Sequence, residues 1–290
     1  MAKAKVVKEV KKPKVVKAKI EKVKEKKVSP KVEKVESKIE KVIPTVVNVE
    51  VKKVVDTEGL PSLKEMLEAG VHFGHSVKRR NPRMDEYVYA IKNGVQIFDL
   101  FKTRECLADA CTYVSERVGA GEEILLVGTK GQAADTIKAE AERMGVAFIT
   151  THWVGGLFTN WEQIKTRVDK LIDMKKKFEL GEYKKYTKKE QVLLKKDMDR
   201  LERMYGGLVG LKGLPKLVFI VDPTREITAM REATHRGIPV VAIVDSNGDP
   251  RGIVRVIPGN DDALKSVVML VTAVTKAVEK GLKANKEKKV

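Results

Sequence analysis

The chain has 290 residues, 42% of them hydrophobic, and its 58 Lys and Arg against 40 Asp and Glu leave a formal net charge of +18. That length buries at least one sizeable core, and a field of that sign gathers polyanions, either nucleic acid or an acidic membrane surface. No apolar run approaches the roughly 20 residues that span a bilayer.

The first 58 residues hold 18 Lys and 9 Asp and Glu, no aromatic residue, and prolines at 13, 30 and 44. Half of the net positive charge therefore lies in a fifth of the chain. Lys/Val alternation of this kind supports no packed core and reads as a disordered basic arm, 1–58. It also lacks the apolar segment of a secretory signal. A weak helical pattern (Val32, Val35, Ile39, Val42) is compatible with ordering on a partner.

Ser62-Leu63-Lys64-Glu65 is a capping-box pattern opening a short helix that closes at Gly70. After an irregular stretch, Tyr87 to Ile91 and Val95 to Leu100 flank Asn93-Gly94, a hairpin turn signal. A helix from about Thr103 to Val118 follows, carrying Cys106 and Cys111. Two thiols five apart on different faces of one helix read as reduced cysteines of a cytosol-like compartment. Ile124 to Val127 is a continuous apolar run of the kind a parallel strand buried on both faces has. A helix (Gln132 to Met144) and a strand (Val146 to Thr150) repeat the alternation. Beyond an interruption, Leu217 to Val221 and Val240 to Val244 are further buried strands, separated by a helix at about Glu226 to Arg236. A short strand at Val254 to Ile257 leads to a terminal helix beginning after Asn260. Alternation of this kind predicts a doubly wound α/β layer with a parallel sheet covered on both faces.

The interruption begins at His152-Trp153-Val154-Gly155-Gly156-Leu157-Phe158-Thr159-Asn160-Trp161, where two glycines allow a sharp turn and Asn160 sits at a helix N-cap position. Trp161, Ile164, Val168, Leu171, Lys175 and Phe178 then follow 3-4 spacing. Thr187-Lys-Lys-Glu190 is a second capping box, and Leu194, Met198, Leu201 and Tyr205 return the pattern. These residues predict an antiparallel coiled-coil hairpin over 160–206, hinged on the glycine-rich segment Gly206 to Pro215. The α/β body then covers 59–159 and 207–282, and 283–290 is a basic tail.

Lys78-Arg79-Arg80-Asn81-Pro82-Arg83 places four positive charges in six residues. So dense a cluster repels itself unless phosphates neutralise it. Lys92 beside the hairpin turn, Lys130 in the strand-to-helix loop Gly128-Thr-Lys-Gly131, and Lys165 and Arg167 near the root of the arm extend the expected polyanion surface. The Gly128 loop matches neither a Walker nor a G-x-G-x-x-G pattern, so a nucleotide-binding α/β enzyme working near Gly128 and Asp222 is the weaker alternative. Asp245-Ser-Asn-Gly-Asp249-Pro250 has Pro and Val256 where a calcium loop needs Gly and Glu. His72 and His75 lack a third ligand and read as packing groups. No catalytic residue, metal or cofactor is expected. A cationic membrane-surface protein ranks last, because the N-terminal segment offers only Val and Ile as apolar anchors.

Several long strings arrive in one order: Leu67-Glu-Ala-Gly-Val-His-Phe-Gly-His75, Asn81-Pro-Arg-Met84, Leu126-Val-Gly-Thr-Lys130, Trp153 to Asn160, Gly237-Ile-Pro-Val240 and Ile257-Pro-Gly-Asn-Asp-Asp-Ala263. From about Leu63 to Val278 the chain resembles the bacterial form of ribosomal protein S-two. The resemblance implies a three-layer flavodoxin-like body with a coiled-coil arm. It also implies a structural, rRNA-binding constituent of the small ribosomal subunit in the cytoplasm, with no small-molecule substrate. Other small-subunit proteins and the large translation-initiation protein S-one are its implied partners. Arg80 stands where that family usually has an aromatic residue, and residues 1–58 have no counterpart in the pattern.

Overall fold

A computed structural model describes residues 59–288. The basic arm expected over 1–58 and the last two residues lie outside that range. The elements in chain order are α1 (Leu63–Glu68), β1 (Phe73–Ser76), β2 (Val88–Lys92), β3 (Val95–Phe98), α2 (Leu100–Gly119), β4 (Ile124–Val127), α3 (Gly131–Met144) and β5 (Ala147–Ile149). They continue with α4 (Trp161–Glu179), α5 (Lys188–Tyr205), β6 (Leu217–Val221), α6 (Ile227–Arg236), β7 (Val240–Val244), β8 (Arg255–Pro258) and α7 (Leu264–Lys288). No helix among the described residues is long and apolar enough to cross a membrane.

The central sheet is parallel throughout, in the order β5-β4-β6-β7-β8. Apart from Arg255 at the start of the edge strand β8, its strands are apolar because successive side chains enter different cores. Ile124, Leu126, Leu217, Phe219, Val241 and Ile243 face α2, α3 and α7, and Leu125, Val127, Val218, Ile220, Val240 and Ala242 face α4, α6 and the 152–161 segment. Each such side chain contributes about 1.5–3 kcal/mol on burial, so covering both faces is what makes these short strands stable. The result is the three-layer flavodoxin-like arrangement.

A second sheet, β1-β3-β2, is antiparallel. Its β2–β3 turn places Asn93 at φ 53° and Gly94 at φ 75°, the positive-φ pair that a two-residue hairpin needs. The sequence did not reveal β1, whose four residues include a histidine, a glycine and a serine. Helix α2 starts three residues earlier than expected, because the Asp99 side chain accepts a hydrogen bond from the Phe101 N–H and caps it. Both capping boxes form, Ser62 with Glu65 and Thr187 with Glu190, whereas Asn160 occupies its N-cap position without a side-chain cap bond.

Helices α4 and α5 pair as a hairpin that departs from the expected seam. Ile164, Val168, Leu171 and Met174 are buried on α4, whereas Phe178 is exposed and Lys175 pairs with Glu202 at 2.7 Å. The stripe turns at Met174 because an i+3 step buries a thioether where i+4 would bury an ammonium. Burial is concentrated at the root, where Ile164, Val168 and Leu171 join Tyr205 and Leu208 in one core. Within the expected glycine hinge Gly207 is a packed contact, whereas a Cβ at Gly210 or Gly213 would meet nothing within 4 Å. A Cβ on Gly207 would lie 2.2 Å from the Phe148 carbonyl oxygen, and Leu208 is fully buried beside it. Gly207→Ala is therefore expected to cost about 1–3 kcal/mol, as overpacking against an immovable backbone does, read as a lowered urea midpoint.

Candidate functional site

The 152–161 segment that leads into the hairpin is held by one buried side chain. Glu232 on α6 accepts hydrogen bonds from the Gly156 N–H at 2.8 Å, the Phe158 N–H at 3.0 Å and the Trp153 Nε1–H at 3.3 Å. Gly156 has φ 88°, the left-handed conformation that lets both N–H groups converge on one carboxylate. Trp153 and Phe158 meet edge to face at 4.9 Å between centroids. The segment is thus a rigid root for α4, and Trp161 packs against the same core.

The basic loop 77–83 is fixed in a similar way. Ser246, just beyond the end of β7, accepts a hydrogen bond from the His75 N–H on its Oγ at 2.8 Å and one from the Asn81 N–H on its carbonyl at 2.9 Å. Gly74 lets β1 approach, since a Cβ there would lie 2.8 Å from the Ser246 Oγ. The Asn81 side chain accepts from the Arg83 N–H and starts a 3-10 turn at Pro82. The loop is therefore anchored at both ends to the carboxyl edge of the central sheet, where open α/β folds place their ligands.

Lys78 and Arg79 are exposed and make no ion pair or side-chain hydrogen bond among the described residues. Arg80 is bidentate to Asp85, and Arg83 lies 3.7 Å from Asp249, whose other partner is Arg251. Surface pairs of this kind contribute at most about 1 kcal/mol, so a phosphate can displace them. Lys92 is exposed next to the β2–β3 turn, and Lys165 and Arg167 are exposed on α4.

Lys130 departs from the expectation. Its side chain is 11% exposed, and its ammonium lies 2.6 Å from Asp262, 2.8 Å from Asp261 and 3.5 Å from Asp222. An ammonium shared among three carboxylates is not available to a phosphate, and the surrounding charge repels one. The spacing of the Gly128 loop was legible, but the acids that fill it come from three separate strand ends. This cluster was missed in the sequence. Asp222 ends β6 with φ 61°, Asp245 follows β7, and Asp261 and Asp262 follow β8. His75 completes it, with Nδ1 3.0 Å from Asp245 and Nε2 3.4 Å from Asp262. His72 turns away and tilts over the Phe73 ring at 4.0 Å, so the two histidines share no site. One ligand atom each from His75, Asp245 and Asp261 lies within 4.8 Å of the others, a spacing able to hold a cation.

Burial would lower the Lys130 pKa, yet hydrogen bonds to Asp261 and Asp262 and the nearby Asp222 raise it above the ordinary value. Burial, then the Asp222 and Asp245 carboxylates, push Asp261 up to about 7 against the pull of Lys130. The Asp245 hydrogen bond, opposed by burial, raises His75. The Asp261 and His75 shifts both favour the protonated form in the folded state. The stability these two groups contribute is complete below the ordinary Asp value, falls as pH rises towards 7 through Asp261, and falls further as His75 deprotonates. Asp262, whose pKa its hydrogen bond from Lys130 lowers, instead contributes stability that is lost as pH falls. Lys130→Met strips the three acids of their shared cation, a loss of about 3–5 kcal/mol near neutral pH by analogy with broken buried pairs. The deficit is expected to shrink at pH 5, where Asp261 is protonated; urea midpoints at the two pH values measure it.

The chain's residues 66–281 match the family model described as Ribosomal protein S2. A curated relative, "Small ribosomal subunit protein uS2c" of Guillardia theta, is 44% identical over 220 residues, which cover 76% of this chain and 94% of that protein. The motifs around His75, Asn81, Lys130, Asn160 and Asp261 all fall inside the matched span. The chain belongs to the ribosomal protein S2 family.

Proposed function

We propose that this protein is a structural, non-enzymatic constituent of the small ribosomal subunit. In this reading it docks on folded rRNA through the anchored basic loop. The observation that carries it is the pairing of rigidity and exposed charge at 77–83. Lys78 and Arg79 stand exposed, without ion pairs among the described residues, on a segment tied to Ser246 at both ends. A pre-set cationic loop loses little conformational freedom when phosphates bind, and recognition of folded RNA rests largely on such backbone contacts. Arg80 and Arg83 join by exchanging Asp85 and Asp249 for phosphate. Lys92, Lys165 and Arg167 extend the surface, and Lys130 is reassigned to the interior. Neighbouring small-subunit proteins are the other partners in this reading. The compartment we assign is the cytoplasm, consistent with free thiols at Cys106 and Cys111.

The nucleotide-enzyme alternative loses its main support. The crevice between β4 and β6, where strand order reverses, is filled by Lys130 and its carboxylates, so the lysine a nucleotide phosphate would need is already engaged.

The double variant Lys78→Ala/Arg79→Ala is expected to weaken binding of small-subunit rRNA. It should also reduce the slope of log affinity against log salt by about two units, roughly one per lost phosphate contact. Arg80→Ala is expected to do less, because its carboxylate partner already neutralises it. Filter binding across a salt series measures both, and an unchanged slope in the double variant excludes the loop as the docking surface.

A further inference from the structure

The hairpin tip is built differently from its root. Helix α4 ends at Leu180, Gly181 turns at φ 72°, a short 3-10 turn spans Glu182–Lys185, and Thr187 caps α5. Three aromatic rings stand in a row across this turn. Phe178 and Tyr183 lie 6.2 Å apart between centroids and Tyr183 and Tyr186 6.0 Å apart, tilted 56° and 58°. Tyr183, in the middle, is half-buried, but Phe178 remains 46% exposed and Tyr186 42% exposed. A local core holding the turn would cover its outer rings. Here both remain exposed to solvent.

The charge around them has one sign in excess. Lys176, Lys177, Lys184, Lys185, Lys188 and Lys189 are all exposed, against Glu179, Glu182 and Glu190 around the same turn. The Lys185 Nζ lies 5.8 Å from the centroid of the Tyr186 ring. Partly exposed aromatic rings among exposed ammonium groups are the chemistry by which proteins hold unpaired nucleotides: the rings stack on bases and the cations follow the phosphates. A duplex offers the same phosphates but no free base faces.

We infer that the tip formed by Phe178, Tyr183 and Tyr186 is a stacking platform for unpaired RNA nucleotides, distinct from the phosphate-reading loop at 77–83. This rests on the RNA-docking reading above and adds to it a second contact of a different kind. The loop would recognise backbone shape, and the tip would capture a single-stranded bulge or loop.

The test uses the full chain with two probes, a 12-nucleotide uridine oligomer and a 12-base-pair RNA duplex. Residues 1–58 are present in parent and variants alike and drop out of every ratio. Phe178→Leu/Tyr186→Leu keeps the turn apolar while removing both open rings. It is expected to weaken oligomer binding about five- to tenfold, as loss of a stacked base does, with duplex binding and the salt slope unchanged. Tyr186→Phe alone should bind like the parent, and Lys184→Gln/Lys185→Gln should lower the slope on both probes. Circular dichroism confirms that each variant remains folded. Parent-like oligomer binding by the leucine variant overturns the inference, as does an equal fall on oligomer and duplex. If Lys78→Ala/Arg79→Ala weakens rRNA binding while the tip variants do not, the docking reading stands and the platform falls. If neither set has an effect, both fall.

Discussion

The carboxyl edge of the central sheet depends on the Lys130 ammonium. Four aspartates, Asp222, Asp245, Asp261 and Asp262, arrive there from the ends of three different strands, and for all but the exposed Asp262 burial removes most of the water that would screen them. Without a cation among them their repulsion would open the ends of β6, β7 and β8. Lys130 reaches three of them from the neighbouring strand β4, and His75 engages Asp245 and Asp262 from the small sheet. The interaction joins all the elements at this edge. Its gain comes less from pair strength than from avoiding an uncompensated buried charge.

On this neutralised edge the protein mounts an excess of positive charge. Ser246 holds β1 and the 77–83 loop by two backbone hydrogen bonds. Arg80 and Arg83 are steadied by exposed acids, and Lys78 and Arg79 project beyond them. The two layers have opposite tasks. Inside, each charge has a partner because an unpaired one is expensive. Outside, a surplus is tolerated because water screens it and a polyanion can complete it. This is why Lys130, equal to its neighbours in composition, has a different role.

The helical hairpin follows the same gradient. At its root, Ile164, Val168 and Leu171 enter the core beside Leu208, the Glu232 carboxylate locks the entering chain, and Gly207 locks the returning one. Towards the tip burial fades, and Phe178, Leu180 and Tyr186 are open to solvent. A stiff base with an apolar, cationic end suits an arm that reaches a surface outside the protein's own core.

The sequence by itself determined the elements whose signals are local. The buried strands read as unbroken apolar runs, the Asn93-Gly94 turn and both capping boxes as short motifs, and the family as long ordered strings. Those signals depend on backbone preference and side-chain periodicity, which act within a few residues. The tertiary structure alone decided which charges meet. Lys130 is 92 residues from Asp222 and 131 from Asp261 along the chain, and His75 is 170 from Asp245. The Glu232 grip on Gly156 and Phe158 is equally remote in sequence, and β1 exists only because β3 and Ser246 receive it. Coulombic energy depends on separation in space and on burial, and neither is written in the order of the residues.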